Sequence, residues 1–168
     1  MLKLKGSAEI DKLRAGGRRL AQIMAELVGA VRPGITTVEL DALARERIAA
    51  AAGRPSFLNY RPPSAKRPFP AALCVSINDE VVHGIPGERA LAAGDIVSLD
   101  LGLEYQGLFT DLAVTVPVGT ASPAAQKLLA VTGEALVRGA AAARPGGRLG
   151  NIGWAIESFV KKQGFDLV

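Results

Sequence analysis

Apolar residues recur at near-helical spacing over residues 8–31, at Ile10, Leu13, Leu20, Ile23, Leu27 and Val31, which predicts an amphipathic helix. Gly16 and Gly17 weaken its middle, and Arg32-Pro33-Gly34 ends it. Thr36-Thr-Val-Glu39 has the spacing of a capping box and opens a second helix running to about Ala52, closed by Gly53. The proline-rich and basic stretch 54–70 reads as an ordered loop. Leu73–Ile77 is a short β-type run, and Gly84 to Gly94 is a loop. Ser122-Pro123, an N-cap followed by proline at the first helical position, starts an Ala/Leu-rich helix to about Ala143. Arg144-Pro145-Gly146 follows, and then a helix from about Leu149 to Lys162, stopped by Gly164. Helix, Arg-Pro-Gly, helix thus occurs twice, as a duplicated unit would produce. The first copy leads on to strands, whereas the second leads only to Phe165-Asp-Leu-Val168.

Between 95 and 116 the apolar period changes to two. Two β-type runs flank Glu-Tyr-Gln-Gly, a hairpin turn. With Tyr105 and Gln106 at its tip, 104 pairs with 107 and Asp100 stands directly opposite Asp111. Leu99, Leu101, Leu103, Leu108, Leu112 and Val114 then share one face. Ser98, Asp100, Gly102, Phe109, Asp111 and Ala113 share the other. Directly opposed Cβ atoms lie about 5 Å apart, where like charges repel. A divalent cation with oxygen ligands would relieve that repulsion. A solvated sheet face would also accommodate both aspartates, and spacing alone does not separate the two readings.

The 168 residues suit one domain, and 49% apolar with 21% charged content is that of a globular chain. Cys74 is the only cysteine, so no intrachain disulfide is available and a reducing compartment is expected. The first twenty residues lack the apolar core of a signal peptide, and no stretch is long and apolar enough to span a membrane. A cytoplasmic protein is the expectation. The net charge of +4 is spread over positions such as Lys3, Arg18, Arg45, Lys66 and Lys161, with only 5% aromatic residues. That pattern fits a solvated basic surface, and no nucleic-acid-binding motif is visible.

The only histidine lies in Asn78-Asp-Glu-Val-Val-His83-Gly-Ile-Pro86, where Gly84 and Pro86 constrain the backbone beside it. A lone histidine is often structural. Its context is more specific: Val-Ser-Ile-Asn, His-Gly-Ile-Pro, Gly-Asp-Ile-Val and the Asp…Asp hairpin follow in order. Upstream stand Glu9-Ile-Asp-Lys-Leu-Arg-Ala-Gly-Gly-Arg and an Arg-Pro-Gly turn before a Glu-Leu-Asp helix. In these motifs, collinear over nearly the whole chain, the sequence resembles the type I methionine aminopeptidases.

The resemblance implies an α+β pita-bread fold, two pseudo-symmetric halves around a dinuclear metal site. On this reading residues 1–168 form a single incomplete domain. About 8–118 would be the first repeat and about 122–168 the helices of a second repeat lacking its sheet. The resemblance makes Asp100 a terminal, bidentate metal ligand and Asp111 a ligand bridging two divalent ions (Co, Mn, Fe or Zn). His83 becomes the non-ligand histidine that hydrogen-bonds substrate beside the scissile amide. Phe57, Tyr60, Phe69 and Cys74 become the first-half wall of a methionine side-chain pocket; the alternative for these four is ordinary core packing, which would explain Phe57 and Phe69 equally well. The implied partner is a peptide with N-terminal methionine, and the implied reaction is its removal from nascent proteins.

The family's pattern also calls for a ligand histidine in a Gly-His-Gly segment, a further substrate-contacting histidine and two glutamates. This chain has no second histidine, and Glu157, in a predicted helix, is a poor substitute for either glutamate. The expectation is therefore an N-terminal part of such an enzyme that binds metal weakly and turns over little. Three other readings stand beside it. One is a non-enzymatic pita-bread module binding a peptide or a ribosome-associated partner. Another is a homodimer associating through an exposed half-interface. The third is a relative of the proline-specific aminopeptidases and prolidases.

Overall fold

The computed structural model of the chain describes residues 4–63 and 65–168. Lys3 and Ser64, the latter within the proline-rich loop, lie outside the described residues. The chain divides into two compact units, Met1–Thr120 and Ala121–Val168.

In the first unit, α1 (Ser7–Ala30) runs unbroken through Gly16 and Gly17. Gly16 is buried, and a Cβ there would already touch Tyr105 Cβ at 3.4 Å and Thr110 Cγ2 at 3.6 Å. The glycine that lowers helix propensity lets the helix lie close on the sheet, and Arg19 stacks on the Tyr105 ring at 4.2 Å. Leu20, Ile23, Met24 and Leu27 supply the buried stripe. The capping box forms as predicted: Glu39 N–H donates to Thr36 Oγ1 at 3.3 Å, and Thr36 N–H donates to Glu39 Oε2 at 2.7 Å. It opens α2 (Thr37–Ala50). The left-handed residue closing α2 is Ala52, with φ 55°, not Gly53. Gly53 has a different constraint, because a Cβ there would overlap the Leu103 side chain.

Among the described residues four strands form the sheet: β1 (Arg54–Pro55), β2 (Leu73–Ile77), β3 (Ile96–Tyr105) and β4 (Leu108–Pro117). All pairings are antiparallel; β4 lies along one edge of β3, while β2 and β1 share the other edge end to end. The proline-rich stretch therefore begins with a strand that its composition hid, since two residues are too few to show a period. Leu99, Leu101 and Leu103 are fully buried against the core formed with α1 and α2. Helices cover that face, which leaves the aspartate face free to form a site.

One buried carboxylate ties the helical layer to the sheet. Asp41 on α2 is 5% exposed. Its Oδ1 accepts from Ala72 N–H at 2.7 Å and Leu73 N–H at 2.9 Å, while Arg45 pairs with Oδ2 at 2.7 Å. It thus satisfies two donors at the start of β2. Asp41→Ala would leave them buried and unpaired, and we expect a loss of about 3 kcal/mol. A urea midpoint unchanged from wild type would count against that role.

The second unit pairs α3 (Pro123–Ala142) with α4 (Leu149–Lys162). Ser122 caps α3 by accepting from Ala125 N–H at 3.2 Å. Val131, Ala135 and Val160 form its small core, and a Cβ at Gly139 would press on Ile156 Cδ1 at 2.7 Å. Gly34 and Gly146, the glycines of the two Arg-Pro-Gly turns, both have positive φ, 88° and 79°. Among the described residues no strand lies in this unit, and no helix of the chain is long and apolar enough to cross a membrane.

Candidate metal centre and its pocket

The hairpin turn is one residue further along than its sequence suggests. Gln106 and Gly107 occupy the two central positions, both with positive φ (50° and 80°), as a two-residue hairpin turn of the favoured twist requires. Tyr105 stays in the strand and pairs with Leu108. The register consequently shifts by two: Asp111 faces Gly102, Asp100 faces Ala113, and the two aspartates are diagonal neighbours rather than direct opposites. A shift of two preserves the faces, so both carboxylates remain on the side away from the helices.

Gly102, between them, is buried and without a side chain for a reason. A Cβ there would overlap Ser56 Oγ and approach Phe57 Cε1 to 2.7 Å. Ser56 N–H donates to Gly102 O at 3.1 Å, drawing the segment after β1 across the sheet and setting Phe57 over it. The proline-rich loop then folds back on itself: Asn59 N–H donates to Phe69 O at 2.9 Å, and Phe69 N–H to Tyr60 O at 2.8 Å. These bonds bring Phe57, Tyr60 and Phe69 to one wall.

The opposite wall comes from β2 and the loop after it. Cys74 pairs directly with Asp100 in the sheet, so their side chains emerge side by side. Beyond β2 the chain doubles back: Val75 N–H donates to Gly84 O at 3.0 Å, and Gly84 N–H to Ser76 Oγ at 3.1 Å. Asn78 and Asp95 clamp the ends of this loop. The Asn78 side chain donates to Asp95 Oδ1 at 2.8 Å and accepts from Ile96 N–H at 3.0 Å. The Asp95 carboxyl also accepts from Ala92 N–H at 2.9 Å, and these bonds hold its pKa below the ordinary value. His83 sits at the bend with φ 60°, a left-handed conformation that is uncommon outside glycine.

These elements line an open cavity of about 510 Å³. Phe57, Tyr60, Phe69, Cys74, His83, Asp100 and Asp111, all seven candidate residues, line it. Phe57 and Phe69 are half-buried and lie outside the buried core cluster. Ile85 and Arg67, neither of them singled out as a site residue by the sequence, also line the cavity.

The electrostatics favour a cation. Asp100 Oδ1 is buried without a hydrogen-bond partner among the described residues. Burial first, and the Asp111 charge second, raise the Asp100 pKa, with His83 opposing them. The Cys74 thiol is pushed up to about 12 by burial and then by Asp100, Asp111 and Asp41. A buried carboxylate oxygen without a donor, beside a second carboxylate and an imidazole, is a donor set suited to a divalent ion. Asp100 and Asp111 would hold it.

Comparison with known proteins shows the family and the fold. Residues 11–168 match the pattern of metallopeptidase family M24. The methionine aminopeptidase of Aquifex aeolicus is 41% identical over 168 residues, covering 99% of this chain and 65% of its own length. This chain thus spans about two thirds of that relative. The crystal structure of methionine aminopeptidase from Rickettsia prowazekii superposes with a TM-score of 0.95 at 33% identity, over 100% of this chain and 65% of that one. Prolidase from Pyrococcus furiosus shares the fold, with a TM-score of 0.83 at 17% identity over 96% of this chain and 44% of that one.

Proposed function

The chain belongs to metallopeptidase family M24, and from that premise we propose that its pocket is the first-half portion of a site that removes N-terminal methionine from peptides. The observation that carries this reading is the convergence of Asp100, Asp111 and His83 on one apolar-walled cavity. In the proposed domain plan, about 8–118 forms the first pita-bread repeat and about 122–168 the helices of the second. Two divalent ions, when bound, supply Lewis acidity at the scissile carbonyl and lower the pKa of a water. Asp100 and Asp111 would provide oxygen ligands to them.

The remaining residues bind and orient the substrate. His83, exposed at the rim, donates an imidazole N–H to the substrate beside the scissile amide. Phe57, Tyr60, Phe69 and the Cys74 thiol surround the methionine side chain, whose polarisable thioether suits aromatic and sulfur neighbours. A second imidazole is not available from a chain with one histidine. Glu157 is already paired with Lys161 at 2.7 Å, on α4. These 168 residues alone therefore hold metal weakly and turn over little substrate.

Isothermal titration with Mn²⁺ or Co²⁺ tests the reading. The expected result is weak, saturable binding that Asp111→Asn removes, with at most trace cleavage of a Met-Ala-Ser peptide. Binding indifferent to that substitution would overturn the assignment of the carboxylates. Full turnover by the 168-residue chain would overturn the ligand count.

A further inference from the structure

Asp100 has a second set of neighbours that the two-carboxylate reading leaves unused. Cys74 is its direct partner on β2, so the thiol and carboxylate leave the same face of adjacent strands. The loop bond between Val75 and Gly84 brings the His83 imidazole to the same point. One ligand atom from each, sulfur, nitrogen and oxygen, lies within 4.8 Å of the other two. Asp111 does not belong to this group, although it borders the same cavity.

We propose that Cys74, His83 and Asp100 form a mononuclear site for a thiophilic divalent cation, Zn²⁺ or Cd²⁺. The ligand chemistry separates this site from the aspartate pair. Two carboxylates select hard cations, whereas a thiolate with an imidazole and one carboxylate selects softer ones. Three protein ligands leave a fourth tetrahedral position open towards the cavity. On binding, the Cys74 S–H bond breaks, sulfur keeps the electron pair as a ligand, and the proton passes to solvent. The orphaned Asp100 Oδ1 gains a partner at the same time. Both modes use Asp100, so they exclude each other, and a thiophilic ion would block assembly of the hard-metal site.

The inference concerns the same pocket as the proposed function but does not depend on it. The test is titration of the metal-free chain with Cd²⁺, followed through the ultraviolet thiolate-to-cadmium charge-transfer band. Cys74 is the only cysteine, so such a band has a single source. We expect the band to rise to a plateau at equimolar Cd²⁺. His83→Ala should lower Cd²⁺ affinity about tenfold or more, by loss of one ligand. His83 is exposed, and circular dichroism would verify the fold of that variant. Asp111→Asn should retain both the band and the affinity. No band in the wild-type chain at saturating Cd²⁺ overturns the proposal without recourse to any variant. Unchanged affinity in His83→Ala, or loss of the band in Asp111→Asn, overturns the three-ligand assignment. A Cd²⁺ band without a Mn²⁺ response would leave this site standing and remove the hard-metal reading, and the converse would do the opposite.

Discussion

Gly84→Ala is expected to cost about 4 kcal/mol and to dislodge the histidine from the pocket. A Cβ at this position would overlap the Val75 carbonyl oxygen and stand 2.8 Å from its carbon and 3.0 Å from Ser76 Cα. All three are backbone atoms of β2, so relief requires moving a strand buried along its whole length or expelling the loop. Expulsion breaks the bonds from Val75 N–H to Gly84 O and from Gly84 N–H to Ser76 Oγ. It strands a buried serine hydroxyl and an N–H that now share partners, which adds to the steric cost. His83 would leave with the loop. The check is a urea midpoint beside that of Gly87→Ala, where a Cβ meets nothing within 4 Å and the expected change is at most about 0.5 kcal/mol. Equal midpoints for the two variants would remove Gly84 from the account of how the pocket is held.

Asp100→Asn should separate stability from binding. The folded chain raises the Asp100 pKa above its ordinary value of 3.8, through burial and then through Asp111. Below pH 3.8 the carboxyl is neutral in both folded and unfolded states and costs nothing. As pH rises through the raised folded-state value, the unfolded chain ionises more readily, and stability is lost. At pH 7 without metal, the neutral amide should therefore raise Tm by roughly 2–4 °C, with the gain fading towards pH 3. The same substitution should weaken divalent-cation binding by about 100-fold or more. A Tm below that of wild type at neutral pH would mean that the Asp100 charge is already satisfied in the metal-free fold. A residue whose removal steadies the fold while abolishing binding is held there for the ligand.

Much of this was legible in the chain. The α1, α2, α3 and α4 segments lie close to their periodic patterns because capping residues and Arg-Pro-Gly turns act within one or two helical turns. The capping box at Thr36 and Glu39 and the N-cap at Ser122 formed as their spacing required. The seven candidate residues reach one cavity because their motifs stand on β2, β3, β4 and the loops beside them. What eluded the sequence was pairing. The two-residue strand β1 exists only because β3 offers it an edge. The hairpin tip moved by one residue because Gly107 accepts positive φ more readily than Tyr105 would. Asp41, unremarked in its Glu-Leu-Asp helix, proved to be the anchor of β2.

By itself, the sequence determined the helical layer, the position of β2, the faces of the hairpin and the residue types available for metal chemistry. Each of these depends on interactions between neighbours along the chain or on a period of two. Only the tertiary structure decided that Asp100 and Asp111 are diagonal, that Cys74 is the direct partner of Asp100, and that His83 returns to join them. Those relations depend on register and loop closure across as many as dozens of residues. They are set by where a glycine admits close backbone approach, at Gly84 against Val75 and at Gly102 under Ser56 and Phe57.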